Sequence, residues 1–409
     1  MRILMVFIDM LRSELVFSTQ ADSQIMKTCR KIGGTLFEAC YTPAPDTYRS
    51  MGALWSSCYP AENGCDNRCK RPFEWLKKPE ETFLEYLLSS GYIFNSYVGA
   101  TISSPFSLIT PHFPSNFIPA NPYSLNSVTI SYLKSTKRFP FFPNVYTKYP
   151  FNFSTGKFIK EYTKEIFLGN DSFTFLNLED LHFILDDKSY TLKAYKEGEK
   201  KICDLIDSFF EIFPVEQFDE IIFFSDHGFR FWNEKGGYSL DKRRTNIFLF
   251  WHEKNDASLK IDRKLRSIMD IYPTLLNKCG IYYSKSNIRG KDLFGEEYHN
   301  ELLLEDHTSF YATILDSVNC WGVVTNAGIQ FCNSDLVWND GLIHSELQNL
   351  LLENGTGYKM LSEFIDRERK LYNVDEPKNI GKYTSDGEKR VTEKINGIER
   401  FLGKIKNIL

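Results

Sequence analysis

The chain contains no run of ~18 apolar residues, so no helix spanning a bilayer is expected. It also lacks an excess of one charge. Its 49 basic and 53 acidic residues leave −4, and no tail or block of one sign stands out. A broad nucleic-acid-binding face is therefore not indicated, while a local basic pocket stays compatible with the balance. The nine cysteines follow no spacing of a secreted disulfide framework. Cys58, Cys65 and Cys69 cluster loosely, but zinc would need a fourth ligand there, and reduced, partly buried thiols are the simpler reading. The opening Met1-Arg2-Ile3-Leu4-Met5-Val6-Phe7-Ile8-Asp9 is too short for a secretory apolar core and ends in a carboxylate. It reads as a buried strand, and a cytoplasmic protein is the expectation. No internal repeat is visible.

What is present is an ordinary globular balance of 409 residues, 42% hydrophobic and 25% charged. That length suits one large domain with appendages or two domains of usual size. Short apolar runs at 3–8, 173–178, 221–224 and 247–251 alternate with helical patterns such as 82–89 and 199–213. The alternation predicts an α/β fold, a mostly parallel central sheet flanked by helices. Residues 101–150 break the rhythm, holding eight of the sixteen prolines among Phe, Tyr and Ser. Proline fixes φ and removes donors, so this segment reads as an irregular insertion that shapes a substrate pocket. In the tail, Val391, Ile395, Ile398, Leu402, Ile405 and Leu409 follow helical spacing with charged residues between them. Such a narrow apolar seam suits either docking on its own domain or a homo-oligomer contact.

In an open parallel sheet, ligands bind beyond the carboxyl ends of the strands. Two strands end in acids there: 3–8 runs into Asp9, and 221–224 runs through Ser225 into Asp226-His227-Gly228. Two carboxylates and an imidazole form a hard, oxygen-rich site for one divalent ion, Zn, Mn, Mg or Ca. Each signal alone is weak, because a strand-terminal Asp often caps the next helix. A third segment adds to them. The extended Tyr41-Thr42-Pro43-Ala44-Pro45 stops, and a helical pattern begins near Thr47. A hydroxyl at a helix N-terminus feels the dipole beside free N–H groups that cradle a tetrahedral anion. Bound to a metal it becomes a nucleophile near neutral pH; plain N-capping by Thr47 is the alternative.

These pieces, in this order, resemble the sulfatase branch of the alkaline phosphatase superfamily. Ile8-Asp9-Met10-Leu11-Arg12 looks like its first metal-ligand strand, and Tyr41 through Cys58-Tyr59-Pro60 like its nucleophile segment. The run from Phe175 to His182 resembles the strand that delivers a substrate-facing histidine. Ser225-Asp226-His227-Gly228 matches the late metal-ligand motif, and Ser267 through Pro273 and Gly290-Lys291-Asp292-Leu293 resemble segments that close the main domain. The resemblance covers residues 1–335. It implies a catalytic domain over 1–295 with the 101–150 insertion, a small C-terminal α+β subdomain over 296–355 and a helical tail over 356–409.

The family's nucleophile position falls on Thr47, where sulfatases carry a modifiable cysteine in a Cys-x-Pro-x-Arg signature. Thr47 is followed here by Tyr48, Arg49, Ser50 and Met51, so that signature is absent. A threonine resembles the phosphate-handling members. The resemblance implies that Asp9, Thr47, Asp226 and His227 hold the metal, and that Thr47 attacks phosphorus to give a phospho-threonine. It further implies that His182 serves the leaving oxygen and that Lys242 takes part in catalysis. Arg49 and Arg243 would bind substrate. Met10 stands where many sulfatases have a second Asp, so one metal is favoured. A second would draw on Asp180, His182 and one of His299, His307 or His344. The function implied is hydrolysis of phosphate mono- or diesters. The alternatives are transfer of a phospho-substituent, phosphoethanolamine- or phosphoglycerol-like, to a glycan or other alcohol, then a noncatalytic binding module or a sulfate esterase. The expected partner is a small-molecule or glycan phosphoester.

Overall fold

The computed structural model describes residues 1–18, 23–65, 76, 81–99, 117–121, 166, 168–178, 180–188, 190–231, 234, 240–306 and 320–333. Most of the 101–150 insertion, the tail, Cys69, His307 and His344 lie outside these residues. The strands are β1 (Arg2–Ile8), β2 (Gly34–Phe37), β3 (Cys40–Tyr41), β4 (Ile93–Gly99), β5 (Phe117–Asn121), β6 (Ser172–Leu178), β7 (Glu220–Phe224), β8 (Leu249–Glu253), β9 (Leu259–Asp262), β10 (Arg266–Ser267), β11 (Glu301–Asp306), β12 (Cys320–Thr325) and β13 (Gly328–Asn333). The helices are α1 (Ser13–Ser18), α2 (Gln24–Ile32), α3 (Thr47–Ser56), α4 (Pro60–Asn63), α5 (Phe83–Ser89), α6 (Asp180–Lys188), α7 (Leu192–Phe210), α8 (Lys242–Thr245) and α9 (Ile271–Lys278).

Eight strands form the main sheet in the order β5-β4-β6-β1-β7-β8-β2-β9. All neighbouring pairs are parallel except those made by β8, which runs antiparallel to both β7 and β2. The continuous apolar run of β1 follows from its central place. Ile3, Met5 and Phe7 enter one core with Trp55 of α3, Phe83 of α5 and Leu275 of α9. Leu4, Val6 and Ile8 enter a second core with Met26 of α2 and Ile206 of α7. Each fully buried side chain of this kind contributes roughly 1.5–3 kcal/mol, so a charge anywhere in this run would face apolar packing on one side or the other. A two-stranded ribbon, β3 with β10, and a three-stranded antiparallel sheet, β11-β12-β13, complete the strands described. Among the described residues no helix is long and apolar enough to cross a membrane.

Two boundaries differ from the sequence reading. The strand expected at 247–251 begins at Leu249, because Asn246 and Ile247 bridge instead to Tyr41 and to Arg12. The helix expected at 199–213 is α7, which starts seven residues earlier, where Thr191 caps it by accepting the Ala194 N–H at 3.2 Å. It ends at Phe210, ahead of Pro214, whose ring disfavours helical backbone at Phe213.

Candidate active site

β1, β6 and β7 are adjacent and parallel, so their carboxyl ends open on one edge of the sheet. β1 delivers Asp9, whose N–H donates to Leu178 O at the end of β6. β6 leads into α6 and His182, whose Nδ1 lies 3.0 Å from Asp9 Oδ2. β7 leads into Asp226 and His227. The next residue, Gly228, donates to Arg244 O at 2.8 Å. A Cβ there would stand 2.1 Å from Arg243 O, so only glycine permits this approach.

The segment that carries Thr47 arrives from β3. Asp46, in extended backbone, caps α3 by accepting the Arg49 N–H at 3.1 Å. Thr47 is thus the first residue inside the helix, and the capping role it could have taken belongs to Asp46. Its hydroxyl oxygen lies 3.3 Å from His227 Nε2. The first turn is pinned further by Ser50, whose Oγ accepts from Thr42 Oγ1 and donates to the Asp226 carbonyl at 2.8 Å.

Asp9, Asp226 and His227 are buried, and one ligand atom from each lies within 4.8 Å of the others. His227 Nδ1 donates to the Gly228 carbonyl at 2.8 Å, an atom that only accepts, which leaves the Nε2 lone pair outward. That lone pair faces Asp226 Oδ2 at 3.4 Å. Two acceptors turned toward each other in a buried site call for a cation between them. Burial pushes the Asp226 carboxyl above its usual range, against the pull of His227, and the Asp9 charge pushes the same way. The donor set therefore fits a divalent ion. Among the described residues this is the one such group. His299, a conceivable ligand for a second ion, is instead tied to Asp270 at 2.7 Å. Met10 turns into the second apolar core with φ 63°, so the position expected to lack a ligand is filled by packing.

The cations are sorted by their partners. Arg49 is 1% exposed and held between Asp46 and Asp306. Arg12 pairs with Glu14 and Glu234 and lies over Phe231. Lys242, the cation expected to take part in catalysis, is exposed at the start of α8, and Arg243 folds back onto its own cap Asp241. The residue of this trio that reaches the segment ahead of Thr47 is Arg244, which donates from Nη2 to Pro45 O at 2.7 Å. The sequence reading favours Lys242 and Arg243, but among three consecutive cations the turn of α8 decides which one points inward, and that one is Arg244.

No family model and no curated protein matches the sequence. Solved structures do share its fold. The phosphonate monoester hydrolase of Agrobacterium radiobacter is similar with a TM-score of 0.59 and 12% identity, over 89% of this chain and 95% of its own. The 2-O GAG sulfatase BT1596 is similar with a TM-score of 0.56 and 14% identity, over 91% of this chain and 93% of its own. The fold is that of the alkaline phosphatase/sulfatase superfamily. A superfamily protein from Vibrio parahaemolyticus matches at a TM-score of 0.50 and 14% identity, over 81% of this chain and 77% of its own. The superfamily resemblance of the sequence motifs is thereby matched by the architecture.

Proposed function

We propose that this chain is a metal-dependent hydrolase of phosphorus esters, with Thr47 as nucleophile. One observation carries the reading. The Thr47 hydroxyl, freed from capping by Asp46, stands 3.3 Å from His227 Nε2 beside the Asp9/Asp226/His227 group. Those three side chains would hold the divalent ion, which when bound lowers the pKa of the Thr47 hydroxyl and polarises the ester. Thr47 attacks phosphorus in line, the ester oxygen departs, and water then cleaves the phospho-threonine. His182, beside Asp9, is placed to serve the departing oxygen. Of the α8 cations, Arg244 is the one the geometry favours for the nonbridging oxygens, ahead of Lys242 and Arg243. The absence of a modifiable cysteine at position 47 favours phosphorus over sulfur, while the structural neighbours include both phosphonate monoester hydrolases and sulfatases.

The test is turnover of p-nitrophenyl phosphate, bis-p-nitrophenyl phosphate, p-nitrophenyl phenylphosphonate and p-nitrophenyl sulfate with Mg, Ca, Mn or Zn. Turnover of a phosphorus ester is expected, and Thr47→Ala should lower it on the order of 10³-fold or more. Full activity in that variant removes Thr47 from the mechanism. Sulfate turnover alone overturns the substrate class. Decay of the phospho-threonine, followed by intact mass, should proceed with water alone; a requirement for an added alcohol marks a transferase.

A further inference from the structure

We propose that Asp306, at the end of β11, is a positioning residue for Thr47, so that the C-terminal sheet completes the reaction centre. The inference rests on the functional reading above. Arg49 has one N–H fork and two carboxylates to share. Its Nε donates to Asp46 Oδ2, and its Nη2 donates to Asp306 Oδ1 at 2.5 Å. All three residues are at most 3% exposed. Asp46 also caps α3 through the Arg49 N–H, so the carboxylate that starts the helix and the guanidinium that steadies it belong to one unit. Thr47 follows Asp46 directly and, with Tyr48, lies between the two in that turn.

Two carboxylates on one buried guanidinium do different things. Asp46 is local, three residues away, and would keep its contact in any helical turn. Asp306 is 257 residues away and arrives on a strand fastened to both flanks of α3. The Glu305 N–H donates to Pro43 O at 2.8 Å, before the helix, and the Leu303 N–H donates to Tyr59 OH at 3.3 Å, after it. β11 thus touches the chain on both sides of α3, and Asp306 at its end meets Arg49 in the first turn of that helix. Losing that carboxylate leaves a buried guanidinium with a single counter-ion, and Arg49 must shift toward Asp46 or toward solvent. Either move rotates the first turn of α3, and the Thr47 hydroxyl leaves its place beside His227. The metal-holding side chains sit on other segments, and the Ser50 hydroxyl on the Asp226 carbonyl ties this turn to them through the backbone rather than through a ligand atom.

The experiment compares Asp306→Asn, Asp306→Glu, Arg49→Met and the Arg49→Met/Asp306→Asn pair in the full chain, on the ester turned over best. Asp306→Asn should lower kcat on the order of 10- to 100-fold, the cost of a misplacement of about 1 Å, with KM within about threefold. Asp306→Glu should recover most of the loss. In the Arg49→Met background the Asp306 change should add little, because it acts through Arg49. Mn binding, measured by calorimetry, should match the parent chain. Unchanged kcat in folded Asp306→Asn overturns the inference, as does full additivity with Arg49→Met. If Asp306→Asn does not fold, Arg49→Met/Asp306→Leu, which removes both charges at once, takes its place, and parental kcat in that variant overturns it equally. Thr47→Ala runs alongside. If it stays active, the functional reading fails; if it is dead while Asp306→Asn is unaffected, only the positioning role fails.

Discussion

At Arg244 a guanidinium lies close enough to feel Asp46 and Asp306, yet closes no ion pair with either among the described residues. Burial lowers its pKa from the usual arginine value, the two carboxylates raise it, and Arg230 lowers it again. Arg12, Arg49 and Arg243 are each engaged by carboxylates, so their charge is spent within the protein. Arg244→Met is expected to lower kcat/KM on the order of 10²-fold, with part of the loss recovered by lysine. Lys242→Met should stay near the parent value. Steady-state kinetics on the best ester decide, and an equal loss in both variants would return the role to Lys242. Neighbouring residues in one short helix are chemically alike in sequence, and their separation into exposed, paired and inward-reaching is a property of the fold.

The strand pair β7 and β8 holds the site's scaffold together through a buried carboxyl. Glu220 is 6% exposed and accepts from the Trp251 indole N–H across the pair. Burial pushes its carboxyl up to about 7 from the usual 4.5, opposed by that indole and by Lys278. A raised carboxyl binds its proton more tightly folded than unfolded. Its contribution is therefore present below about pH 4.5 and lost as pH rises through about 7. Glu220→Gln should be more stable than the parent at pH 8 by about 2–3 kcal/mol, with the gap closing toward pH 5. Urea midpoints at the two pH values test this, and a gap that does not change with pH would rule out the titration. At this scale much was legible beforehand. β1, β6 and β7 showed as mainly apolar runs, because strands covered on both faces are dominated by apolar side chains, with buried polar residues such as Thr174, Asn177 and Glu220 as exceptions. The reversed direction of β8 was not, since a short strand of five residues reads the same either way. Nor was the start of α7, which depends on the single cap Thr191 ahead of a charged first turn and a half.

Over the whole molecule, the Asp9/Asp226/His227 group joins segments that are far apart in sequence, so an ion held there acts as a cross-link of the folded state. At a concentration about 100 times its Kd it should stabilise the protein by about 2.7 kcal/mol, a rise of a few degrees in Tm. Asp226→Asn should abolish the rise. Thermal scans with and without Mn after chelator treatment give the answer, and an equal rise in parent and variant would place the ion elsewhere. The convergence of Asp9, Asp226 and His227 was readable in the sequence, because acids at the carboxyl ends of adjacent parallel strands meet at one edge of the sheet. Asp306 was not, because its partner Arg49 lies 257 residues away and nothing local marks the end of β11 as belonging to the reaction centre.

The central place of β1 has a consequence during synthesis. Its sheet neighbours, β6 and β7, begin at Ser172 and Glu220, so a segment apolar on both faces emerges long before either partner exists. At roughly 5–20 residues per second, the ribosome leaves it unpaired for on the order of 10–30 s. Throughout that wait the nascent chain presents Ile3–Ile8 as a ready substrate for chaperones, and the same run that later centres the sheet is its greatest hazard on the way out.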